Sequence, residues 1–478
     1  MARKRAKTAI SMAEEDDGFS KLPDAIIQHI LSFLPTVDVV RTSLLTKRWK
    51  LMWYSVPTLI FSDATTDFQS SQAVENFYKY VDNCLICRKR GMNFMVDTAI
   101  ASFKLQMKNS YHTSKATYLD KWLEFLVKNK VKEINLQLGF AFDRALSCYS
   151  LPISVLNTRD LTVLELDRLD LNTAYSIRLP ALKTLSLKNV YFEDNLKDDA
   201  IFKLLLGCPS LETLLLSLCD NLVPLGYPLC LQSFSLKWLK IKYLAFVPPL
   251  QVEAINLESL VVNGFIFKDT NLFACKRIRN LSLTFDHCSE EDPSKSLECL
   301  ISTLPLLENL TLKDCYKVKL EHIKISNQQL KSFNLKNRCT KYDYGMNIII
   351  EFAPKLESFS YEGHTNFGIS MESSNLLNGK FVIHNLHENY DANGFISMMN
   401  FLLNLNCSWN IVTLHVPSFK VLIMPEYLKR ICHSSLLNWK HLKINSDCKL
   451  VRESDLKDNL LRISSSLETL YINEKDIL

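Results

Sequence analysis

Glycine is scarce in this sequence, 11 residues in 478. No Gly-rich loop is present to cradle a phosphate, and no Gly-x-Ser-x-Gly elbow is present to expose a nucleophilic serine. No apolar run is long enough to cross a bilayer. The charge bias is small, +5 overall, short of the dense basic face that marks nucleic-acid binders. The opening MARKRAKTAI lacks the apolar segment of a signal peptide; Glu14, Glu15, Asp16 and Asp17 come next. The expected location is therefore the nucleus and/or cytoplasm, with the 14 cysteines as reduced thiols rather than a disulfide framework. Arg3, Lys4, Arg5 and Lys7 fit a solvated tail over residues 1–17 better than a nuclear import signal.

Apolar residues make up 47% and charged residues 22%, so the chain folds, and its length demands several domains or a repeat array. Between Gly18 and Phe61, Leu22-Pro23 opens a helix carrying Ile26, Ile27, Ile30, Leu31 and Leu34 at helical spacing. Pro35 stops it. A second short helix carries Val39, Val40, Ser43 and Leu44, and a third Trp49, Met52 and Trp53. Three helices this short cannot bury all these side chains among themselves, so some apolar surface must meet a partner or the rest of the chain.

The stretch LPDAIIQHILSFLPTVDVVRTSLLTKRW resembles an F-box from end to end, in the form found in the large plant family of F-box/leucine-rich-repeat proteins. In that family the module binds the Skp-type adaptor of a cullin-based ubiquitin ligase. The resemblance implies that Leu22, Pro23, Ile26, Ile27, Ile30, Leu31, Leu34, Val39, Val40, Leu44, Leu45 and Trp49 form or support that surface. Spacing alone does not separate those facing the adaptor from those facing the module's own core.

Ser62–Gln72 reads as a polar loop. Val74, Phe77, Tyr78, Val81, Cys84 and Leu85 then predict a helix. Phe103, Leu105 and Met107 predict a strand. Leu119, Trp122, Leu123 and Leu126 predict a second helix, feeding a strand at Ile134, Leu136 and Leu138. Such a segment caps the open end of a solenoid. Cys84 and Cys87 form a lone Cys-x-x-Cys without a second pair, and Cys84 lies on the apolar helix face, so core packing fits better than zinc or redox chemistry.

From Leu161 onward L-x-x-L-x-L recurs, centred on Leu164, Leu185, Leu214, Leu260, Leu281, Leu310, Phe333, Phe359, Leu414, Leu442 and Leu470. The pattern predicts a leucine-rich-repeat array, each unit adding a strand whose inward face only a neighbour can cover. Asp199–Leu206 and Ser296–Leu304 read as outer helices. Residues from Asn366 to Asn410 read as the least regular part, with degraded repeats. The C-terminal stretch weakly resembles the FBD-type ending of some plant relatives. Flanking positions on the strands point away from the core. Lys188, Lys240, Lys242, Lys313, Lys336 and Lys443 would then line one concave surface as a target- or anion-binding stripe, set against balancing by Glu165, Asp167 and Glu362, the reading favoured here. His384 and His387 lack zinc-protease spacing and read as solvated or packed.

The expected fold is an α/β solenoid: a tail (1–17), a three-helix F-box (18–62), a linker and helical cap (63–130), and a leucine-rich-repeat horseshoe (131–478). The resemblance implies a non-catalytic substrate-recognition subunit of a Skp–cullin–F-box ubiquitin ligase, with no catalytic residues, metal or cofactor. Its partners would be the Skp-type adaptor, through it a cullin, and a protein target, with no membrane and no nucleic acid. The alternatives are a small-molecule or inositol-phosphate-assisted receptor of the same architecture, or a scaffold outside the ligase.

Overall fold

Two prolines set the start of the chain. Pro23 and Pro35 are extended, with ψ of 146° and 144°, and each stands directly before a helix, Asp24–Ser32 and Thr36–Thr42. This is the backbone that proline favours where a helix begins. A third helix spans Lys47–Ser55. The structure, a computed structural model, describes residues 22–45, 47–63, 71–92, 99–107, 111–139, 149–172, 176–192, 200–219, 222, 227–242, 248–286, 292–338, 345–372, 375–384, 392–426, 437–448 and 453–477. The expected tail with its basic cluster, residues 64–70 of the expected loop, and His387 lie outside the described residues. The chain divides into two units, Met1–Arg168 and Leu169–Leu478.

In the first unit, the strand Thr58–Ser62 follows the third helix and pairs in parallel with Ser102–Met107. That strand pairs with Glu133–Leu138, which pairs with Val163–Asp167. Helices Ser71–Met92 and Ala116–Lys128 lie between these strands in the chain. Their apolar faces follow the predicted spacing: Leu119, Trp122, Leu123 and Leu126 are each at most 1% exposed. Each such side chain contributes roughly 1.5–3 kcal/mol on burial. Tyr78 and Trp122, one from each helix, bring their rings within 5.7 Å. Arg88 is fully buried, and its guanidinium donates to the carbonyls of Trp53 (2.9 Å) and Val56 (2.8 Å). It thereby satisfies the C-terminal end of the third helix, whose last carbonyls have no partner within the helix.

In the second unit, parallel strands succeed one another in register from Thr184–Lys188 to Thr469–Ile472. Burial alternates along most of these strands, with Leu214, Leu216, Leu310 and Leu312 at most 1% exposed, as a period of two residues requires. Before several strands a tight turn returns one more leucine to the core. Leu211 N bonds Cys208 O, and Leu356 N bonds Ala353 O. Helices Ala200–Gly207 and Pro293–Ser302 stand where outer helices are expected. Asp292 caps the latter, accepting from Lys295 N, with proline in its first turn. Elsewhere the return path is extended. Leu229–Gln232 pairs with Leu250–Glu253, and His322–Ser326, Met346–Phe352, Phe367–Met371 and Leu405–Asn406 form a second parallel sheet.

Three expectations about the repeats need correction. Leu414 is not the counterpart of Leu442: Val412 is, and Leu414 pairs with Ile444, one inward position further on. A repeat at Trp238–Lys242 was missed, with Leu239 as its central residue. The described residues between Asn366 and Asn410 include regular strands. Of these, Leu377–Ile383 continues the sheet with Gly379 in the central row, between Phe359 and Val412. A Cβ on Gly379 would sit 2.8 Å from the rings of Phe381 and Trp409. The missing side chain is what admits those two aromatics, and its absence hid the repeat. The last strand is covered by an antiparallel hairpin, Lys475–Asp476, which turns through Asn473 and Glu474 at positive φ.

Candidate functional site

The first three helices divide their apolar residues sharply. Ile27, Leu31, Val39, Trp49, Met52 and Trp53 are buried and form the module's own core. Ile26 (46% exposed), Ile30 (39%) and Phe33 (71%) fall four and three residues apart, on one face of the first helix and its C-terminal turn. Val37, Leu44 (84%), Leu45 (67%) and Leu51 add to the exposed set. Among the described residues of the first unit, the only other large apolar side chain exposed to this degree is Ile153. Water-facing leucines at this density mark a surface that binds something. Of the predicted adaptor residues, Ile26, Ile30, Leu44, Leu45 and Pro23 are exposed, and Leu22, Leu34 and Val40 are half-buried. Ile27, Leu31, Val39 and Trp49 face inward and support the surface without forming it. Phe33, Val37 and Leu51 were missed, because helical spacing ranks apolar residues without saying which side meets water.

Arg48 fastens the module. It donates to Leu22 O at 2.5 Å and pairs with Asp24 at 2.5 Å, joining the third helix to the start of the first. A cavity of about 460 Å³ lies behind, lined by Val40 and Trp53 and by Tyr80, Cys84 and Cys87 of Ser71–Met92. Cys84 is buried and its thiol is pushed up to about 12, chiefly by burial. Such a thiol is inert at neutral pH.

The second unit carries two charge patterns. One runs along the residues immediately preceding successive strands: Lys183, Glu212, Lys237, Glu258, Arg279, Glu308, Lys331 and Glu357. The amide of each later member bonds the carbonyl of the one before it, at 2.8–2.9 Å. The signs alternate without a break. Glu212 lies 3.1 Å from Lys237 and 3.7 Å from Lys183, and Glu308 pairs with Arg279 and, at 2.8 Å, with Lys331. The flanking cations hold both carboxyls below the ordinary range.

The other pattern lies on the open face of the sheet, opposite the leucine core. All six predicted lysines stand there, and Lys380 joins them. Among the described open-face positions of these strands, Glu362 is the sole carboxylate. It pairs with Lys336 (3.1 Å), Arg338 and His384 (3.1 Å). Burial raises its pKa, but the hydrogen bonds from His384, Lys336 and Arg338 outweigh that and hold it at about 2. Lys336 and His384 are thus partnered, and Lys443 lies 5.4 Å over the Tyr471 ring. Glu165 and Asp167 belong to the first unit, where Glu165 accepts from Asn135 and Asp167 meets Arg168. The missed repeat adds Trp238, 50% exposed, on the same face as Lys240 and Lys242.

A three-helix module with an exposed apolar face, followed by in-register parallel strands at repeat spacing, defines an F-box protein of the leucine-rich-repeat class. The F-box family model matches residues 19–61, and the model for the At1g61320/AtMIF1 leucine-rich-repeat domain matches residues 95–291. The chain is similar to a putative F-box/FBD/LRR-repeat protein of Arabidopsis thaliana, At2g05300, 29% identical over 54% of each chain. It is similar also to the F-box/FBD/LRR-repeat protein At3g26920 of the same plant, 25% identical over 66% of this chain and 67% of the relative. A third, At1g78750, is 32% identical over 44% of each. The chain thus carries the F-box and leucine-rich-repeat domains that these plant relatives carry. The match spans about half the length of the first of these curated relatives.

Proposed function

We propose that this protein is a non-catalytic target-recognition subunit of a Skp–cullin–F-box ubiquitin ligase, acting in the nucleus or cytoplasm. The observation that carries the reading is the exposed apolar set Ile26, Ile30, Phe33, Val37, Leu44, Leu45 and Leu51 on a module whose core is already filled by other residues. A Skp-type adaptor would cover it, with Phe33, Leu44 and Leu45 as anchors, since a few well-buried apolar side chains carry most of such an interface. The open face of the repeat sheet, with Trp238 and its lysines, would hold the target. The protein's part in ubiquitin transfer is then proximity, which makes an intermolecular reaction effectively local.

The test is capture of a plant Skp-type adaptor by the full chain, beside a Phe33→Asp/Leu44→Asp/Leu45→Asp variant whose fold is checked by circular dichroism. These positions face water, so the variant keeps its melting profile and loses the adaptor. Capture that survives the triple substitution, or no capture by the folded intact chain, overturns the reading.

A further inference from the structure

The two charge patterns of the second unit differ in one respect. Along the strand openings, Arg279, Lys237 and Lys331 each have a carboxylate neighbour. On the open face, Lys240, Lys242 and Lys313 have no carboxylate at ion-pair distance among the described residues, and Lys313 stands three strands along the same sheet from the strand that carries the other two. Lys240 and Lys242 sit two apart on one strand, hence on one face. In the row of Lys240, the neighbouring strands place Val261, Ser282 and Thr311. In the row of Lys313 they place Thr284 and Asn263. Thr284 donates to Asn263 at 3.4 Å. The three lysines are half-buried rather than fully hydrated, with apolar Leu215 and Val261 in register on either side of Lys240. Lys336 adjoins Lys313 on the next strand but is neutralised by Glu362. Lys188 lies two strands to the other side of Lys242.

Like charges gathered on a partly desolvated face repel, and nothing within the described protein offsets them. An anion does so. We infer that Lys240, Lys242 and Lys313, with the hydroxyls of Ser282 and Thr284 between them, form a binding site for a phosphoryl group on the open face of the repeat sheet. A phosphate monoester carries about two negative charges and three acceptor oxygens near neutral pH. It suits several ammonium donors and hydroxyls better than a single carboxylate would. Burial, then Lys242, then Lys313 lower the pKa of Lys240. Exposed Trp238, on the same strand face, offers an apolar anchor beside the phosphoryl site. A phosphorylated segment of a protein target fits this better than a free phosphate compound. The inference rests on the open face being the target surface, and stands apart from the adaptor reading.

The experiment titrates the intact chain with sodium tripolyphosphate, and with a synthetic Trp-containing peptide bearing two phosphoserines, at about 0.15 M salt. Adaptor capture is measured on the same preparation, so failure of one reading is seen separately from failure of the other. The expected result is saturable binding, weakened at least tenfold in Lys240→Ala/Lys242→Ala and in Lys313→Ala. Lys183→Ala, at the strand openings, leaves binding unchanged. Tighter binding of the peptide identifies a target segment as the source of the phosphoryl group; tighter binding of tripolyphosphate identifies a free phosphate compound at the same site. No binding by the folded chain, or equal weakening in Lys183→Ala, overturns the inference.

Discussion

Lys331 Nζ lies 2.8 Å from Glu308 Oε2, and the two residues belong to successive repeats whose backbones are joined by the bond from Lys331 N to Glu308 O. The side-chain pair therefore repeats across space what the backbone bond does. Lys331→Glu would set three carboxylates in series, at 308, 331 and 357. The expected result is a lower melting temperature, with the gap to wild type shrinking as salt is raised, because these groups are solvent-screened. A gap independent of salt would show that charge alternation is not what the position supplies.

Glu362 predicts a pH dependence. Its folded pKa, about 2, lies below the ordinary value of 4.5. A depressed carboxyl contributes stability that is fully present above the unfolded value and is lost as pH falls through the folded one. Glu362→Gln should therefore melt below wild type at pH 7, and the difference should close between about pH 4.5 and pH 2. Melting curves across that range decide it; a constant difference would mean that the ion cluster with Lys336, Arg338 and His384 is not its source.

Arg88 should matter to the F-box through its two hydrogen bonds. Arg88→Met keeps most of the buried volume but leaves the carbonyl of Val56 without its side-chain donor and that of Trp53 with only the 3.4 Å bond from Val56 N. Each unsatisfied buried group costs roughly 1–3 kcal/mol. Amide exchange in Lys47–Ser55 should speed up, and adaptor capture should weaken with it. Arg88→Lys, with one ammonium in place of the fork, should fall between the two.

Ile27 and Ile26 are neighbours with opposite roles. Ile27→Ala empties a fully buried site and should cost about 2–5 kcal/mol. Ile26→Ala, at 46% exposure, should leave the urea midpoint nearly unchanged while weakening adaptor capture. Equal losses of stability from the two substitutions would contradict the division between core and surface.

Much of this was legible without coordinates. The period of two in LETLLLS and LENLTLK placed Leu214, Leu216, Leu310 and Leu312 inward, because a strand's side chains alternate whatever surrounds them. The same logic failed at Leu377–Ile383, where Gly379 stands for the leucine and the volume is supplied by Phe381 and Trp409. It slipped at Leu414, one of two inward residues on the same strand, since a local pattern does not say which of them lies beside Leu442.

The F-box, the parallel repeat and the inward rows follow from local periodicity and from motif order along the chain. Which apolar residues of the first three helices meet water depends on packing, because Ile26 and Ile27 are alike in chemistry and differ only in what packs against them. The tertiary structure alone decided which charges are paired. Lys331 meets Glu308 across a whole repeat, while Lys240 and Lys242 stand on the open face with no carboxylate at ion-pair distance among the described residues. Electrostatic neighbours are set by the register between strands, and that register is a property of the stacked repeats, absent from any one of them.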